Sequence, residues 1–150
     1  VELTNAHIDA GVHCHTLLYV EDNPANLMLV EDLISRRTDI RLLTAKDAIA
    51  GIEIARASLP DVILMDINLP GINGIKALEI LLEDSSTASI PVIALSANAI
   101  PRDIEKGLEA GFFRYLTKPI KVNEFMNTLD VALKFAKAEA ACENREKKHD

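Results

Sequence analysis

The sequence predicts an α/β fold in which five βα units form a parallel sheet covered by helices. The middle of the 150-residue chain alternates short apolar runs with segments of helical period, which is the pattern of such units. The runs at residues 62–65 and 92–95 are apolar throughout, as central strands covered on both faces are. With 49% hydrophobic and 26% charged residues, the composition is typical of a globular domain.

The five strands are predicted from apolar runs that lie between turn and helix signals. Pro60 and Pro91 stand just before the third and fourth runs, where the residue preceding a proline is biased away from helix. The predicted strands are residues 16–20, 40–44, 62–65, 92–95 and 112–116.

The helices between the strands are predicted from apolar residues three or four positions apart, each set being expected to form one buried stripe. Asp22 before Asn23 and Pro24 resembles the start of the first helix. Gly111 marks the end of the fourth helix, and the fifth is expected from near Lys121 to about Ala141. The predicted stripes are Ala48, Ile52, Ala55 and Leu59; Ile75, Leu78 and Leu82; Ile100, Ile104 and Leu108; and Val122, Phe125, Met126, Leu129 and Leu133.

The ends of the chain lack the pattern of the middle. Residues 1–15 have no period and residues 142–150 are mostly charged, so we expect a linker, a domain over residues 16–141 and a charged tail. Cys14 and Cys142 suggest no disulfide framework, and no leader or 18-residue apolar stretch occurs, which favours a cytoplasmic location without membrane contact. A net charge of −7 argues against nucleic-acid binding.

Chemically active side chains follow four of the five predicted strands. Glu21 and Asp22 follow the first strand, Asp66 the third, Ser96 the fourth and Lys118 the fifth. Because parallel strands with right-handed crossovers bring their carboxyl ends to one edge, where such sheets bind ligands, we expect these side chains to converge.

The chemistry of this group indicates phosphoryl transfer. Three converging carboxylates repel one another and need a compensating positive charge, and Mg²⁺ prefers such oxygen ligands. Lys118 supplies a fixed positive charge, and Ser96 supplies a hydroxyl. A metal, a lysine and a hydroxyl around one carboxylate would stabilise a phosphoryl group in transfer, with Asp66 as the nucleophile that becomes an aspartyl phosphate.

At these residues the sequence resembles the receiver domain of two-component response regulators, over about residues 16–137. The resemblance implies a flavodoxin-like (βα)5 fold, a doubly wound five-stranded parallel sheet in the order 2-1-3-4-5 with helices on both faces. The motifs that carry it are Leu18-Tyr19-Val20-Glu21-Asp22-Asn23, Leu64-Met65-Asp66-Ile67-Asn68-Leu69-Pro70-Gly71 with Gly74, Ala94-Leu95-Ser96-Ala97, and Tyr115-Leu116-Thr117-Lys118-Pro119.

The same resemblance implies the roles of the site residues. Asp66 would accept a phosphoryl group from the phosphohistidine of a histidine kinase or histidine phosphotransfer domain, and Lys118 and Ser96 would contact the phosphoryl oxygens. Mg²⁺ would be bound by Glu21, Asp22, Asp66 and the main-chain carbonyl of Asn68.

The resemblance also implies a conformational switch. Ser96 would move toward the phosphoryl group as Tyr115 rotates inward, which would remodel the face of the fourth helix, fifth strand and fifth helix. A weak homodimer through that face is expected.

Further similarity is to the C-terminal receivers of hybrid sensor histidine kinases. Asn23 and Asn26 in Glu-Asp-Asn-Pro-Ala-Asn resemble those receivers, and Val1-Glu2-Leu3 is similar to the last strand of a kinase ATP-binding domain. We therefore expect the chain to come from a longer hybrid kinase.

Two other functions are compatible with an aspartate at this position. An aspartate-nucleophile phosphatase of related fold would place a second Asp two residues after the nucleophile, but that residue is Asn68. A pseudo-receiver would bind partners without phosphorylation, and the full set of acid, hydroxyl and lysine residues argues against it. The receiver reading implies a domain that promotes its own phosphorylation and dephosphorylation without being a turnover enzyme.

Overall fold

The computed structural model describes the backbone of residues 15–69, 71–97 and 99–149 and the side chains of those residues up to residue 136. Most of the predicted linker, including the kinase-like Val1-Glu2-Leu3, and the side chains of the predicted tail lie outside the described part. The strands are β1 (His15–Val20), β2 (Ile40–Ala45), β3 (Val62–Asp66), β4 (Val92–Ser96) and β5 (Arg114–Thr117). The helices are α1 (Pro24–Ser35), α2 (Ala48–Ser58), α3 (Gly74–Glu83), α4 (Pro101–Ala110) and α5 (Val122–His149).

The five strands form one parallel sheet in the order β2-β1-β3-β4-β5, which confirms the predicted fold class and strand order. The registers align the carboxyl ends of the strands. Val20 pairs with both Ala45 and Met65, and Ser96 pairs with Thr117. The residues that follow these strands therefore emerge side by side along one edge.

Alternate residues of each strand point to opposite faces of the sheet, so the core has two layers. Leu17 and Tyr19 of β1 belong to the layer that α1 and α5 cover. Leu18 and Val20 belong to the layer covered by α2 and α3. The two central strands, β3 and β4, are buried at every position, as predicted from their unbroken apolar runs.

The helical stripes were predicted only in part. Leu78 is buried in α3, but its other buried positions are Gly74, Ala77 and Leu81, whereas Ile75 and Leu82 are partly exposed. Leu59 is also exposed, because it ends α2 in a left-handed conformation with a φ of 47°. Val122, at the start of α5, is exposed as well.

The predicted stripe of α4 is wrong. Ile100 and Leu108 are exposed, and the only buried residue within this helix is Gly107. A Cβ at Gly107 would lie 2.9 Å from the ring of Tyr115, so the bare helix backbone packs against that ring. This close approach replaces the contact that large apolar side chains were expected to make.

Two predicted element bounds also differ from the structure. β5 begins at Arg114 rather than at Phe112, whose ring is buried in the preceding turn. The backbone of α5 continues to His149, past the expected end near Ala141. Within the described ranges, no helix has the length and apolarity needed to cross a membrane.

Candidate functional site

The carboxyl edge of the sheet brings three acidic side chains together. Glu21 and Asp22 follow β1, and Asp66 ends β3. One carboxylate oxygen from each lies within 4.8 Å of the others. Glu21 is fully buried and Asp66 is 2% exposed, whereas Asp22 is exposed. The cluster therefore has two buried carboxylates and one that opens to solvent.

Lys118 bridges the two buried carboxylates. Its Nζ lies 3.0 Å from Oδ2 of Asp66 and 3.3 Å from Oε1 of Glu21. Burial lowers the pKa of Lys118, but the hydrogen bonds and Coulomb attraction of the two carboxylates outweigh it and raise the pKa overall. The lysine thus stays charged and balances part of the negative charge.

Glu21 shows that this balance is incomplete. Its pKa is raised, mainly because burial disfavours the charged carboxylate and further because it hydrogen-bonds and repels Asp66. A divalent cation beside these oxygens would reverse that cost. The donor set is made of oxygens and is partly open to water, which fits Mg²⁺.

The orientation of Asp66 is fixed from two sides. The backbone N–H of Asn68 donates to Oδ1 at 2.9 Å, and Lys118 holds Oδ2. The backbone N–H of Ile67 donates to the carbonyl of Leu95 and so extends the pairing of β3 with β4 past Asp66. The aspartate consequently sits on a rigid strand end.

The side chain of Asn68 connects Asp66's loop to β4. Its Oδ1 accepts hydrogen bonds from Ser96 Oγ at 3.2 Å and from the backbone N–H of Ala97 at 3.3 Å. Ser96 is buried, and its carbonyl accepts from the backbone N–H of Lys118 at 2.7 Å. A carboxamide in this position cannot serve as the acid/base that an aspartate-nucleophile phosphatase needs.

Tyr115 lies beside the cluster and partly buried on β5. A cavity of about 250 Å³ is bounded by Asn68, Ser96, Lys106 and Tyr115, among other residues. The ring of Tyr115 rests against Gly107 of α4. The two residues predicted to act in a switch thus line one cavity.

Comparison with known proteins identifies the family. The model of the response regulator receiver domain matches residues 17–130, which is most of the chain. The chain belongs to the response regulator receiver domain family. This receiver domain is 35% identical over 114 residues to the polar-differentiation response regulator DivK of Brucella anthropi, a match that covers 76% of this chain and 92% of DivK.

Solved receiver structures agree with this assignment. The receiver domain of a sensor histidine kinase from Pseudomonas aeruginosa, solved with magnesium in its active-site cleft, is 32% identical with a TM-score of 0.70, covering 82% of this chain and 98% of that one. A response regulator from Chloroflexus aurantiacus is 27% identical with a TM-score of 0.74, covering 80% and 98%.

The receiver contains two contacts that the sequence analysis missed. The hydroxyl of Tyr19 donates to Glu21 Oε1 at 2.8 Å, and Asn26 Nδ2 donates to the same oxygen at 3.3 Å. Burial, followed by the interaction with Glu21, strongly raises the pKa of Tyr19, so its phenol remains a donor. The period of a strand offered a signal, because residues two apart such as Tyr19 and Glu21 lie on one face.

Proposed function

We propose that Asp66 is the phosphoacceptor of this receiver domain and that Mg²⁺ binds Glu21, Asp22, Asp66 and the main-chain carbonyl of Asn68. The observation that carries the proposal is the cluster itself. Three carboxylates lie within 4.8 Å at the end of a buried strand, and one lysine holds Asp66 at 3.0 Å. The magnesium found in the related sensor kinase receiver supports the choice of metal.

The reaction is the transfer of a phosphoryl group from a histidine to Asp66. A carboxylate oxygen of Asp66 attacks phosphorus as the P–N bond breaks, and the bonding electron pair stays with the imidazole, which then takes up a proton. Mg²⁺, when bound, would neutralise charge on the phosphoryl oxygens. The Asn68 N–H keeps the carboxylate oriented during the attack.

Lys118 and Ser96 would then bind the phosphoryl group. Lys118 Nζ already lies 3.0 Å from Asp66 Oδ2, within reach of oxygens carried by that carboxylate. Ser96 Oγ would exchange its bond to Asn68 for one to a phosphoryl oxygen. Tyr115 has the neighbouring cavity into which its ring can turn, so the new charge would be coupled to α4, β5 and α5.

The phosphodonor would be a histidine kinase or a histidine phosphotransfer domain. Such a donor draws its phosphoryl group from ATP, which supports a cytoplasmic location. The net charge of −7 supports the absence of nucleic-acid binding. The Glu21-Asp22-Asn23 motif and the 32% identity to a sensor kinase receiver support a hybrid kinase as the parent protein.

A second copy of the receiver is proposed as a weak partner of the face formed by α4, β5 and α5. Ile100 and Leu108 on α4 are 49% and 45% exposed, and Val122 of α5 is 47% exposed. Such apolar exposure suits a contact between copies. Sedimentation velocity with and without a phosphodonor tests this, and a sedimentation coefficient that stays unchanged on phosphorylation would contradict it.

The phosphoacceptor proposal is tested by intact-mass measurement with acetyl phosphate. In the presence of Mg²⁺ the mass should rise by one phosphoryl group, and Asp66→Asn should prevent the rise. Asp32→Asn is the matched control, because Asp32 is an exposed aspartate of α1 paired only with Arg36 among the contacts described. A phosphorylated Asp66→Asn protein, or an unmodified wild-type protein, would contradict the proposal.

A further inference from the structure

Glu21 is held by more donors than any other carboxylate in the described cluster. Its Oε1 accepts from Tyr19 Oη at 2.8 Å and from Asn26 Nδ2 at 3.3 Å, and Lys118 Nζ also lies 3.3 Å from this oxygen. Its Oε2 accepts from the backbone N–H of Asn23 at 3.3 Å. The Tyr19 contact is the shortest of the four.

Tyr19 reaches this position through the regular geometry of β1. Its side chain is fully buried in the layer under α1 and α5, on the same face of the strand as Glu21. A buried phenol costs free energy unless its hydroxyl is hydrogen-bonded, so a Phe would serve the packing equally well. The hydroxyl is therefore explained by its bond to Glu21.

The length of the Glu21 side chain makes such a bond useful. Glutamate has one more methylene and one more rotatable bond than aspartate, so its carboxylate has more orientations to lose when it binds a cation. Donors that fix the carboxylate beforehand lower that entropic cost. Residues that hydrogen-bond to metal ligands commonly contribute 10- to 100-fold, in order of magnitude about tenfold or more, to metal affinity.

We propose that Tyr19 is a positioning residue for the metal site: its hydroxyl, assisted by the amide of Asn26, holds the carboxylate of Glu21 in the orientation that binds Mg²⁺. The inference rests on the proposed magnesium site. It adds a specific pairing, in which the tyrosine hydroxyl serves a glutamate at position 21 and would be out of reach of an aspartate there. The bond lies in the interior, so it acts on the metal without contacting it.

The first test is Tyr19→Phe, which removes the hydroxyl and keeps the ring. The Kd for Mg²⁺, measured by titration calorimetry, should rise by about tenfold. Thr87→Val is the matched control, because Thr87 also has a buried hydroxyl, which donates at 2.6 Å to the carbonyl of Leu81 far along the sequence from the cluster. Thr87→Val should lower stability and leave the Kd unchanged.

A double-mutant cycle separates positioning from a general effect on the fold. In a Glu21→Asp background the shorter side chain withdraws from the phenol, so adding Tyr19→Phe should change the Kd for Mg²⁺ by less than about twofold. An equal loss in both backgrounds would assign the effect to packing and overturn the inference. A Tyr19→Phe protein that binds Mg²⁺ as the wild type does would also overturn it.

A spectroscopic test keeps the wild-type hydroxyl in place. The chain has two tyrosines and no tryptophan, so Tyr115→Phe leaves Tyr19 as the sole strong near-ultraviolet absorber. Mg²⁺ should then shift the absorbance of Tyr19, because the cation withdraws charge from the carboxylate that accepts its hydrogen bond. If Mg²⁺ binds calorimetrically without such a shift, the inference fails; if the wild-type protein binds no Mg²⁺, the proposed metal site itself fails.

Discussion

Lys118 and Asp66 form an ion pair that joins the ends of two strands 52 residues apart, with 3.0 Å between Nζ and Oδ2. Both strands end at the carboxyl edge of the sheet, and the pair lies at the centre of the acidic cluster. The lysine occupies space and charge that a cation and a phosphoryl group would share. Its removal separates their contributions.

Lys118→Met should leave Mg²⁺ binding intact or tighter while it uncouples phosphorylation from the switch. The lysine competes with the cation for the carboxylates, so calorimetry should give a Kd no higher than that of the wild type. The protein should lose about 1–3 kcal/mol of unfolding free energy, less than a fully buried pair costs, since the lysine side chain is 23% exposed. Acetyl phosphate should no longer change Tyr115 emission.

The control for this variant is Lys76→Met, which removes an exposed lysine whose Nζ lies 3.8 Å from Glu79. That substitution should change neither the Kd nor the response of Tyr115. A marked loss of Mg²⁺ affinity in Lys118→Met alone would contradict the assignment of Lys118 to the phosphoryl group.

The metal-free receiver should lose stability through Glu21 as the pH rises. The pKa of Glu21 is raised above its ordinary value of 4.5 in the folded state, so the folded protein holds that proton more tightly than the unfolded chain does. The resulting stabilisation is complete below 4.5 and is lost as the pH rises through the folded-state pKa. Mg²⁺ should reverse the loss, because it favours the ionised carboxylate.

Unfolding free energies from urea titrations in a chelator, compared between wild type and Glu21→Gln across this pH range, measure the effect. The difference should shift in favour of Glu21→Gln at higher pH, and Mg²⁺ should stabilise only the wild type. A difference independent of pH would show that the carboxylate is not strained by burial and by Asp66.

Gly107→Ala tests the contact between α4 and Tyr115. A Cβ at this position would lie 2.9 Å from the ring of Tyr115, so overpacking should cost about 1–3 kcal/mol and exceed the gain of up to about 1 kcal/mol in helix propensity. In a Tyr115→Ala background the obstacle is gone, and the same substitution should become stabilising. Chemical denaturation measures both, and destabilisation of equal size in both backgrounds would exclude the ring as the cause.

The sequence was sufficient to predict the sheet and most of the cluster. Apolar runs placed β3 and β4 correctly, and Glu21, Asp22 and Asp66 lie together because parallel strands end at a common edge. This inference needs only periodicity and crossover handedness, both of which are local or general properties.

The sequence was insufficient where tertiary contacts override the local pattern. Ile100 and Leu108 have helical spacing, but α4 buries Gly107 instead because its backbone packs on Tyr115. The hydroxyl of Tyr19 was hidden in a strand that reads as apolar, since hydropathy does not show which donor a buried carboxylate will find.

The central claim, that Asp66 carries the phosphoryl group, is tested most directly by locating the modified residue. The receiver is treated with Mg²⁺ and acetyl phosphate and then reduced with borohydride, which converts an aspartyl phosphate to homoserine and releases phosphate. Peptide mass spectrometry should find homoserine at position 66 in the wild type and none in protein kept without acetyl phosphate. Homoserine at Asp22 instead, or no reduced residue in a protein whose intact mass has risen, would contradict the account.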